Sequence, residues 1–375
     1  MLNLAAKCAM RAAGDVEPNP MVGCVLERSG VILGIGHHQR FGGLHAEAQA
    51  LADCARRGHN PAGATAYVTL EPCSHFGKQP PCCDALIRAK VARVICARPD
   101  PNPVSSGGAA KLIAAGIPCD FTSASTLATR LSDPFCKRIA HNLPWVIAKW
   151  AQTIDGRIAT RTGASQWISS EASRAEVHRL RARVDCILTA IGTVLADDPR
   201  LTARGVSRIR RVARRVIIDP RLELPPASRL LETLSLAPLT IATTRRALEA
   251  KPDLAQSLAS RGVELLPADA TGAGPDEVDL RAVLSRLAKV HDATNVLVEP
   301  GPRLLGRLLE QDLADELRIY IGPLALGDDL AAPAAAGRSA PALADARRYQ
   351  LLRARPLGAD VRLVYRRALP NSASP

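Results

Sequence analysis

A chain of 375 residues, 47% of them hydrophobic, exceeds one core and suffices for two of roughly 150–200 residues each. Aromatic residues make up only 3%, so Ala, Leu, Val and Ile must fill those cores, and no apolar run approaches the roughly 20 residues of a membrane helix. The formal charge is +13, with 41 Arg among the 49 basic residues, but no dense basic block is interleaved with aromatics. Nucleic acid is therefore not indicated as a partner, whereas phosphorylated small molecules suit such a balance. Met1-Leu2-Asn3-Leu4-Ala5-Ala6-Lys7 lacks the pattern of a secretion leader, so a soluble cytoplasmic protein is expected.

Leu4–Ala13 has helical spacing and stops at Gly14. Pro18-Asn19-Pro20 then breaks the chain before two short apolar runs, Val22–Leu26 and Val31–Ile35, which Ser29-Gly30 joins as a hairpin. His45–Cys54 reads as a helix, Ala66–Leu70 as a strand, Cys82–Ala89 as a helix and Val91–Ala97 as a strand. Lys111–Ala115 and Ile117–Phe121 continue as helix and strand, and Leu127–Ile139 closes the unit as one helix. His141-Asn142-Leu143-Pro144 is the linker, since proline disfavours helix in the residue before it. The expected domains are residues 1–143 and 144–375.

After the linker the pattern restarts. Strands are expected at Trp145–Trp150, Val184–Ala190, Val216–Asp219, Leu239–Thr243, Val263–Leu266, Asn295–Glu299, Leu317–Ile321 and Val361–Tyr365. Helices are expected at Ser170–Val184 (capped by Ser169 or Ser170), Leu280–Val290 and Leu304–Gln311, with loop from Leu330 to Ala344. Both units are α/β.

Nine of the ten cysteines lie at or before Cys136, and six of the eight histidines lie in the first 141 residues. In a cytoplasmic chain of this length metal binding or burial is expected before disulfides. His45-Ala46-Glu47 opens a helix, Pro72-Cys73 follows a strand, and Cys82 opens another helix after an eight-residue spacer. One imidazole and two thiolates leave a fourth tetrahedral position open, the arrangement of a catalytic zinc. Glu47, two residues past His45, can serve the water at such a metal rather than the metal itself. This is the order of ligands in zinc nucleobase deaminases, with a longer second spacer. Spacing alone does not choose between Cys82 and Cys83. His37, His38 and His75 read as loop or core histidines, and Cys8, Cys24, Cys54, Cys96 and Cys119 as packing.

Beyond spacing, whole motifs resemble the bifunctional riboflavin-biosynthesis deaminase/reductase family over nearly the full chain. They are Pro18-Asn19-Pro20-Met21-Val22-Gly23, His45-Ala46-Glu47-Ala48, Thr69-Leu70-Glu71-Pro72-Cys73-Ser74-His75, Pro80-Pro81-Cys82 and Asp100-Pro101-Asn102-Pro103. The resemblance implies a cytidine-deaminase-like α/β/α domain followed by a dihydrofolate-reductase-like α/β domain. It assigns His45, Cys73 and Cys82 to zinc and Glu47 to catalysis. The substrate it implies is a phosphorylated pyrimidine, deaminated from 2,5-diamino-6-(5-phosphoribosylamino)pyrimidin-4-one to the uracil and then reduced from ribosyl to ribityl by NADPH. Asn19 is a candidate for holding the pyrimidine, beside the plain reading of an Asn-Pro turn.

In the second half Lys149–Arg157, Gly163–Ile168, Gly192–Pro199, Arg200–Arg204 and Glu299–Pro302 carry the resemblance. It implies substrate contacts from Ser165, Arg181, Leu201, Arg204 and Glu299. Cofactor contacts are implied from Lys149, Gln152, Trp167, Thr193, Asp197 and the run Gly301, Pro302, Arg303, Leu304, Leu305, Gly306 and Arg307. Gly301-Pro302, between strand and helix, offers backbone amides to a phosphate; Arg181 and Arg204 can grip one through charge-assisted bonds. From the residues alone, Arg179-Leu180-Arg181-Ala182-Arg183 reads first as a solvated helix face. Pro220, Pro300 and Arg303 depart from the family pattern. A homo-oligomer is also implied. The alternative is a zinc deaminase of another nucleobase or nucleotide with a non-catalytic second domain. Further rivals are a deaminase of nucleic acid, which would carry a two-residue cysteine spacer, and a zinc-stabilised binding protein with no use for Glu47.

Overall fold

The computed structural model describes residues 1–77, 79–270 and 276–367, so Lys78 of the spacer and the last eight residues of the expected second domain lie outside the described residues. The chain divides into two compact units, Met1–Pro144 and the part from Trp145 onward.

In the first unit α1 (Leu2–Ala9) precedes β1 (Gly23–Arg28) and β2 (Val31–His37). Ser29 and Gly30 both have positive φ, 53° and 81°, the turn that matches the twist of a two-residue hairpin. Then come α2 (Ala46–Arg56), β3 (Thr65–Val68), α3 (Cys82–Arg88), β4 (Arg93–Cys96), α4 (Gly108–Ala114) and β5 (Cys119–Phe121). The sheet order is β2-β1-β3-β4-β5, with β1 antiparallel to both neighbours and β3, β4 and β5 parallel. Parallel neighbours need crossovers, and α3 and α4 supply them. The expected helix Leu127–Ile139 is in fact two, α5 (Thr126–Leu131) and α6 (Asp133–His141). Pro134 lacks an N–H and suits a first turn rather than an interior, so the chain leaves the helical track at Ser132 and starts again. Asn142, in the left-handed region at φ 52°, ends α6.

The core of this unit joins Leu26, Leu33, Val68, Cys83, Leu86, Val94 and Leu112. Helix α2 rides unusually close to β2. A Cβ at Gly36 would lie 2.2 Å from the Ala50 nitrogen, and one at Gly34 would lie 2.3 Å from the Ala50 oxygen. Those two glycines therefore set the height of the helix that carries Glu47.

The second unit begins with β6 (Trp145–Gln152), β7 (Arg157–Ala159), α7 (Glu171–Arg181), β8 (Cys186–Ala190), α8 (Ile191–Asp197), β9 (Arg214–Ile218) and α9 (Arg229–Glu232). It continues with β10 (Leu239–Thr243), α10 (Arg245–Ala250), α11 (Pro252–Ser260), β11 (Glu264–Pro267), α12 (Leu280–Val290) and β12 (Asn295–Val298). Last come α13 (Pro302–Glu310), β13 (Glu316–Ile321), β14 (Ala332–Pro333), β15 (Tyr349–Leu357) and β16 (Asp360–Arg367). Ser170, not Ser169, caps α7, its side chain accepting from the Ser173 N–H.

Nine strands form one sheet in the order β11-β10-β9-β8-β12-β6-β13-β16-β15. The first seven are parallel; β16 is antiparallel to β13 and β15. A second, two-stranded ladder joins β7 and β14. Because β8, β12 and β6 are adjacent and parallel, their carboxyl ends open side by side, the place where ligands enter open α/β sheets. The core beneath includes Ile147, Ile187, Ile217, Leu222, Leu230, Ile241 and Leu297. Strand β15 was not expected: most of its residues are exposed, so no apolar alternation marks it.

Candidate active sites

His45 is the residue immediately before α2, with extended backbone, and Glu47 falls in the first turn of that helix. Cys82 opens α3 behind Pro81. Cys73 lies on the segment after β3, which is held from both sides. The Glu71 carboxylate accepts backbone N–H bonds from Gly107 (3.1 Å), Ala109 (3.0 Å) and Asp100 (3.0 Å). A Cβ at Gly108 would fall 1.8 Å from the Pro72 carbonyl oxygen, so only glycine lets the two segments meet. Asp100 is fixed in turn by the Ser105 hydroxyl at 2.6 Å. Sequence reading quoted Glu71 and Asp100 within motifs without giving them this work; the position of Glu71 directly before Pro72-Cys73 was the available signal.

The result is a cluster of three donor atoms. His45 Nδ1 lies 3.3 Å from Cys82 Sγ and 3.5 Å from Cys73 Sγ, and all three atoms fall within 4.8 Å of one another. The Cys82 N–H donates to Cys73 Sγ at 3.4 Å. The Cys82 thiol holds the Cys73 thiol down to about 4 against its burial, with His45 adding to the effect. Cys82 is pushed in the opposite direction, chiefly by the same hydrogen bond to Cys73. Two sulfurs and an imidazole nitrogen converging at this spacing fit zinc, with one tetrahedral position left over. Cys83 packs in the apolar core instead, its thiol pushed up to about 11 chiefly by burial, so the neighbouring cysteines separate cleanly.

Glu47 is 3% exposed, and burial, followed by the Cys73 charge, raises its carboxyl to about 7. It shares a cavity of about 290 Å³ with His45, Cys73, Asn19 and His38. His38 Nδ1 lies 3.0 Å from the Leu44 carbonyl and must donate to it, leaving Nε2 to accept from the Asn19 side-chain amide at 3.2 Å. Asn19 is thus more than a turn residue: it lines the cavity with its amide nitrogen committed to His38.

The second cluster stands at the carboxyl ends of β6, β8 and β12. Val298 pairs with Ala148 on one side and Leu188 on the other, so Lys149 and Glu299 emerge at one level. Arg181, at the end of α7, holds the Glu299 carboxylate through both oxygens, at 2.6 and 2.7 Å, and donates to the Thr202 carbonyl at 3.3 Å. Arg181 therefore does not belong to a solvated face. Burial would raise the Glu299 carboxyl, but Arg181 and Lys149 outweigh it and hold it at about 2. Burial lowers the Lys149 ammonium, with Glu299 pulling the other way.

The other expected residues are placed less uniformly. Leu201 is in the left-handed region at φ 50° with its side chain in the core, so only its backbone can meet a ligand. Arg204 is exposed, with Arg181, Arg200 and Arg229 around it. Gln152 accepts from the Trp150 indole at 2.7 Å. Thr193 on α8 faces Gly301, its hydroxyl 3.4 Å from where a Cβ would be. Asp197 is exposed on α8. Ser165 and Trp167 lie on the loop between β7 and α7, Trp167 65% exposed and covered by the Arg174 guanidinium 4.3 Å from its ring centre.

Gly301 precedes α13, whose first N–H groups at Arg303 and Leu304 have no acceptor within the helix. Leu304 and Leu305 are buried, and a Cβ at Gly306 would meet the Ala336 carbonyl at 1.9 Å. Arg307 donates to the Val278 carbonyl at 2.7 Å, and Arg303 is exposed. Within the run 301–307, then, the first turn faces outward and the rest anchors it. Amides at a helix start, a threonine hydroxyl and a nearby lysine fit a phosphate-bearing nicotinamide cofactor.

Residues 1–98 match the family model for the zinc-binding region of cytidine and deoxycytidylate deaminases, and residues 144–363 match that for the RibD C-terminal domain. The chain is 38% identical over 330 residues to the riboflavin biosynthesis protein RibD of Aquifex aeolicus, covering 88% of each. It is 38% identical over 369 residues to that of Escherichia coli, covering 95% of this chain and 96% of the relative. Among solved structures, Acinetobacter baumannii RibD superposes with a TM-score of 0.82 at 34% identity, covering 98% of both chains. A Thermotoga maritima diaminohydroxyphosphoribosylaminopyrimidine deaminase/5-amino-6-(5-phosphoribosylamino)uracil reductase gives 0.81 at 29% identity, over 98% of this chain and 97% of that one.

Proposed function

This chain belongs to the RibD family, the bifunctional deaminase/reductases of riboflavin biosynthesis, and from that premise we propose how its residues divide the work. It has a zinc-binding deaminase domain and a reductase domain, so the alternative of a non-catalytic second domain falls. The substrate of the first is 2,5-diamino-6-(5-phosphoribosylamino)pyrimidin-4-one, and the second reduces the ribosyl group of the resulting uracil. The observation that carries the reading is the convergence of His45, Cys73 and Cys82 beside a buried glutamate poised at about 7.

Zinc, when bound by His45, Cys73 and Cys82, supplies Lewis-acid activation of water. Glu47 takes the proton of the attacking water and returns it to the departing amine. Burial raises this carboxyl, so its protonated form, needed to return the proton, is accessible to it. Asn19, oriented by His38, holds the edge of the pyrimidine.

In the second unit NADPH supplies hydride when bound, with the first turn of α13 and Thr193 as its phosphate and backbone contacts. Arg204, in a positive surround, grips the substrate phosphate. Glu299 accepts from ribosyl hydroxyls while Arg181 fixes its plane, and Lys149 is the acid available to the opening sugar. The family reading also carries a homo-oligomer and a cytoplasmic setting; among the described residues no helix is long and apolar enough to cross a membrane.

The test is a coupled assay on the diaminopyrimidinone phosphate, following ammonia release and then NADPH oxidation. The reading requires both, in that order. Ammonia release from cytidine or adenosine in preference to this substrate overturns it.

A further inference from the structure

His178 was assigned no role by sequence, yet it sits beside Arg181, Glu299 and Arg204 of the second site. It lies on α7 one turn before Arg181, and its Nδ1 accepts the backbone N–H of Arg204 at 3.2 Å. Arg181, from the same helix face, donates to the Thr202 carbonyl at 3.3 Å. Leu201, two residues before the bonded Ala203–Arg204 peptide, is pinned in the core in a left-handed turn that favours glycine over leucine. The segment 201–204 is thus tied down at three successive points, by a buried side chain, an arginine and a histidine. Its exposed product is the Arg204 guanidinium, which in this structure donates to the Thr202 hydroxyl at 3.3 Å.

We propose that His178 is a positioning residue of the reductase. By accepting the Arg204 N–H as a neutral imidazole, it holds the backbone from which Arg204 grips the phosphate of the substrate. The proposal rests on the reading of Arg204 as that grip. It is independent of the assignment of NADPH contacts.

The imidazole is suited to this and a cation is not. Burial, then Arg181 and Arg204, press its pKa down to about 4, with Glu299 and the Thr202 carbonyl opposing them. A protonated ring would lose its Nδ1 acceptor and set a third positive charge between two arginines. The tautomer follows from the bond: Nδ1 accepts, so Nε2 carries the hydrogen. An asparagine at this position places its Oδ1 close to where Nδ1 stands and can accept the same N–H. Alanine cannot, and leaves the segment held at two points rather than three.

The test compares His178→Ala and His178→Asn in the full zinc-loaded chain. A lost bond of this kind is expected to raise KM for the ribosylaminouracil phosphate about tenfold while kcat stays within about twofold, because the residue touches neither hydride nor ribose. His178→Asn is expected to restore KM to within about threefold. A second readout needs no turnover: ribose 5-phosphate, titrated calorimetrically, is expected to bind His178→Ala about tenfold more weakly, and inorganic phosphate likewise. Unchanged KM and unchanged ribose 5-phosphate affinity in His178→Ala overturn the proposal. So does a His178→Asn chain that melts normally yet behaves as His178→Ala. If Arg204→Ala itself leaves ribose 5-phosphate affinity unaltered, the reading of Arg204 fails, and that outcome is separable because it does not involve His178.

Discussion

In the first unit Glu47 is buried against thiols and a histidine and rises to about 7, whereas in the second Glu299, partly buried, is gripped by Arg181 and flanked by Lys149 and falls to about 2. Burial pushes both in the same direction; what differs is the neighbour. A glutamate left without a guanidinium becomes a proton carrier at neutral pH. One locked in a bidentate ion pair becomes a fixed negative charge that can orient and accept but not exchange protons. In the proposed function the two domains use one residue type for two jobs, and the sequence around each glutamate differs accordingly: Glu47 follows the candidate zinc ligand His45 by two positions, and Glu299 follows a buried strand.

The comparison can be broken most severely at the metal. Cys73→Ser replaces a soft ligand and is expected to remove zinc and with it ammonia release, below detection, while NADPH oxidation on the already deaminated substrate persists. Metal analysis beside the two assays checks this, and loss of both activities together would mean the units do not work separately. Next is Glu299→Gln, which leaves Arg181 and Lys149 enclosed without their counter-charge. The expected cost is about 3–5 kcal/mol, read as a lower melting transition. Its pH dependence has a definite sign. The folded carboxyl titrates at about 2 against an ordinary 4.5, so the stability it contributes is full above the ordinary value and is lost as pH falls toward 2. Acid unfolding of Glu299→Gln is therefore expected to be shallower than that of the unaltered chain over this range. Smallest is Gly36→Ala: its Cβ would collide with the backbone of α2, and about 1–3 kcal/mol of overpacking is expected, with ammonia release falling more than NADPH oxidation because α2 carries Glu47.

Legibility follows the same divide. The candidate zinc site was legible because His45 and Cys82 sit at helix starts and Cys73 on the segment after a strand, in short motifs whose order points to the chemistry. Spacing did not choose between Cys82 and Cys83, since neighbouring helical residues point about 100° apart; the Pro80-Pro81-Cys82 motif named Cys82, and the structure brings its sulfur to His45 and Cys73 while Cys83 enters the core. The second site is spread over β6, α7, α8 and the segments after β8 and β12. The ion pair that organises it joins residues 118 positions apart, so Arg181 looked like one arginine among many on a helix surface. His178 was invisible for the same reason. Most strands of the second sheet were legible as apolar runs. The short helices α8 to α11 were not, because helices of four to nine residues hold too few turns for a period to show. The division of one expected helix into α5 and α6 was written in Pro134, and there the local signal was present but outweighed by the apolar spacing around it.

The account turns on Glu47 moving protons while the rest of the molecule stays as it is. The direct measurement is Glu47→Gln in the full chain, with zinc content, ammonia release and NADPH oxidation on the deaminated substrate determined together. Loss of a positioned general acid–base is expected to slow ammonia release at least about 100-fold, with zinc content and NADPH oxidation unchanged. Ammonia release within a few-fold of the unaltered chain, with zinc still bound, would contradict it.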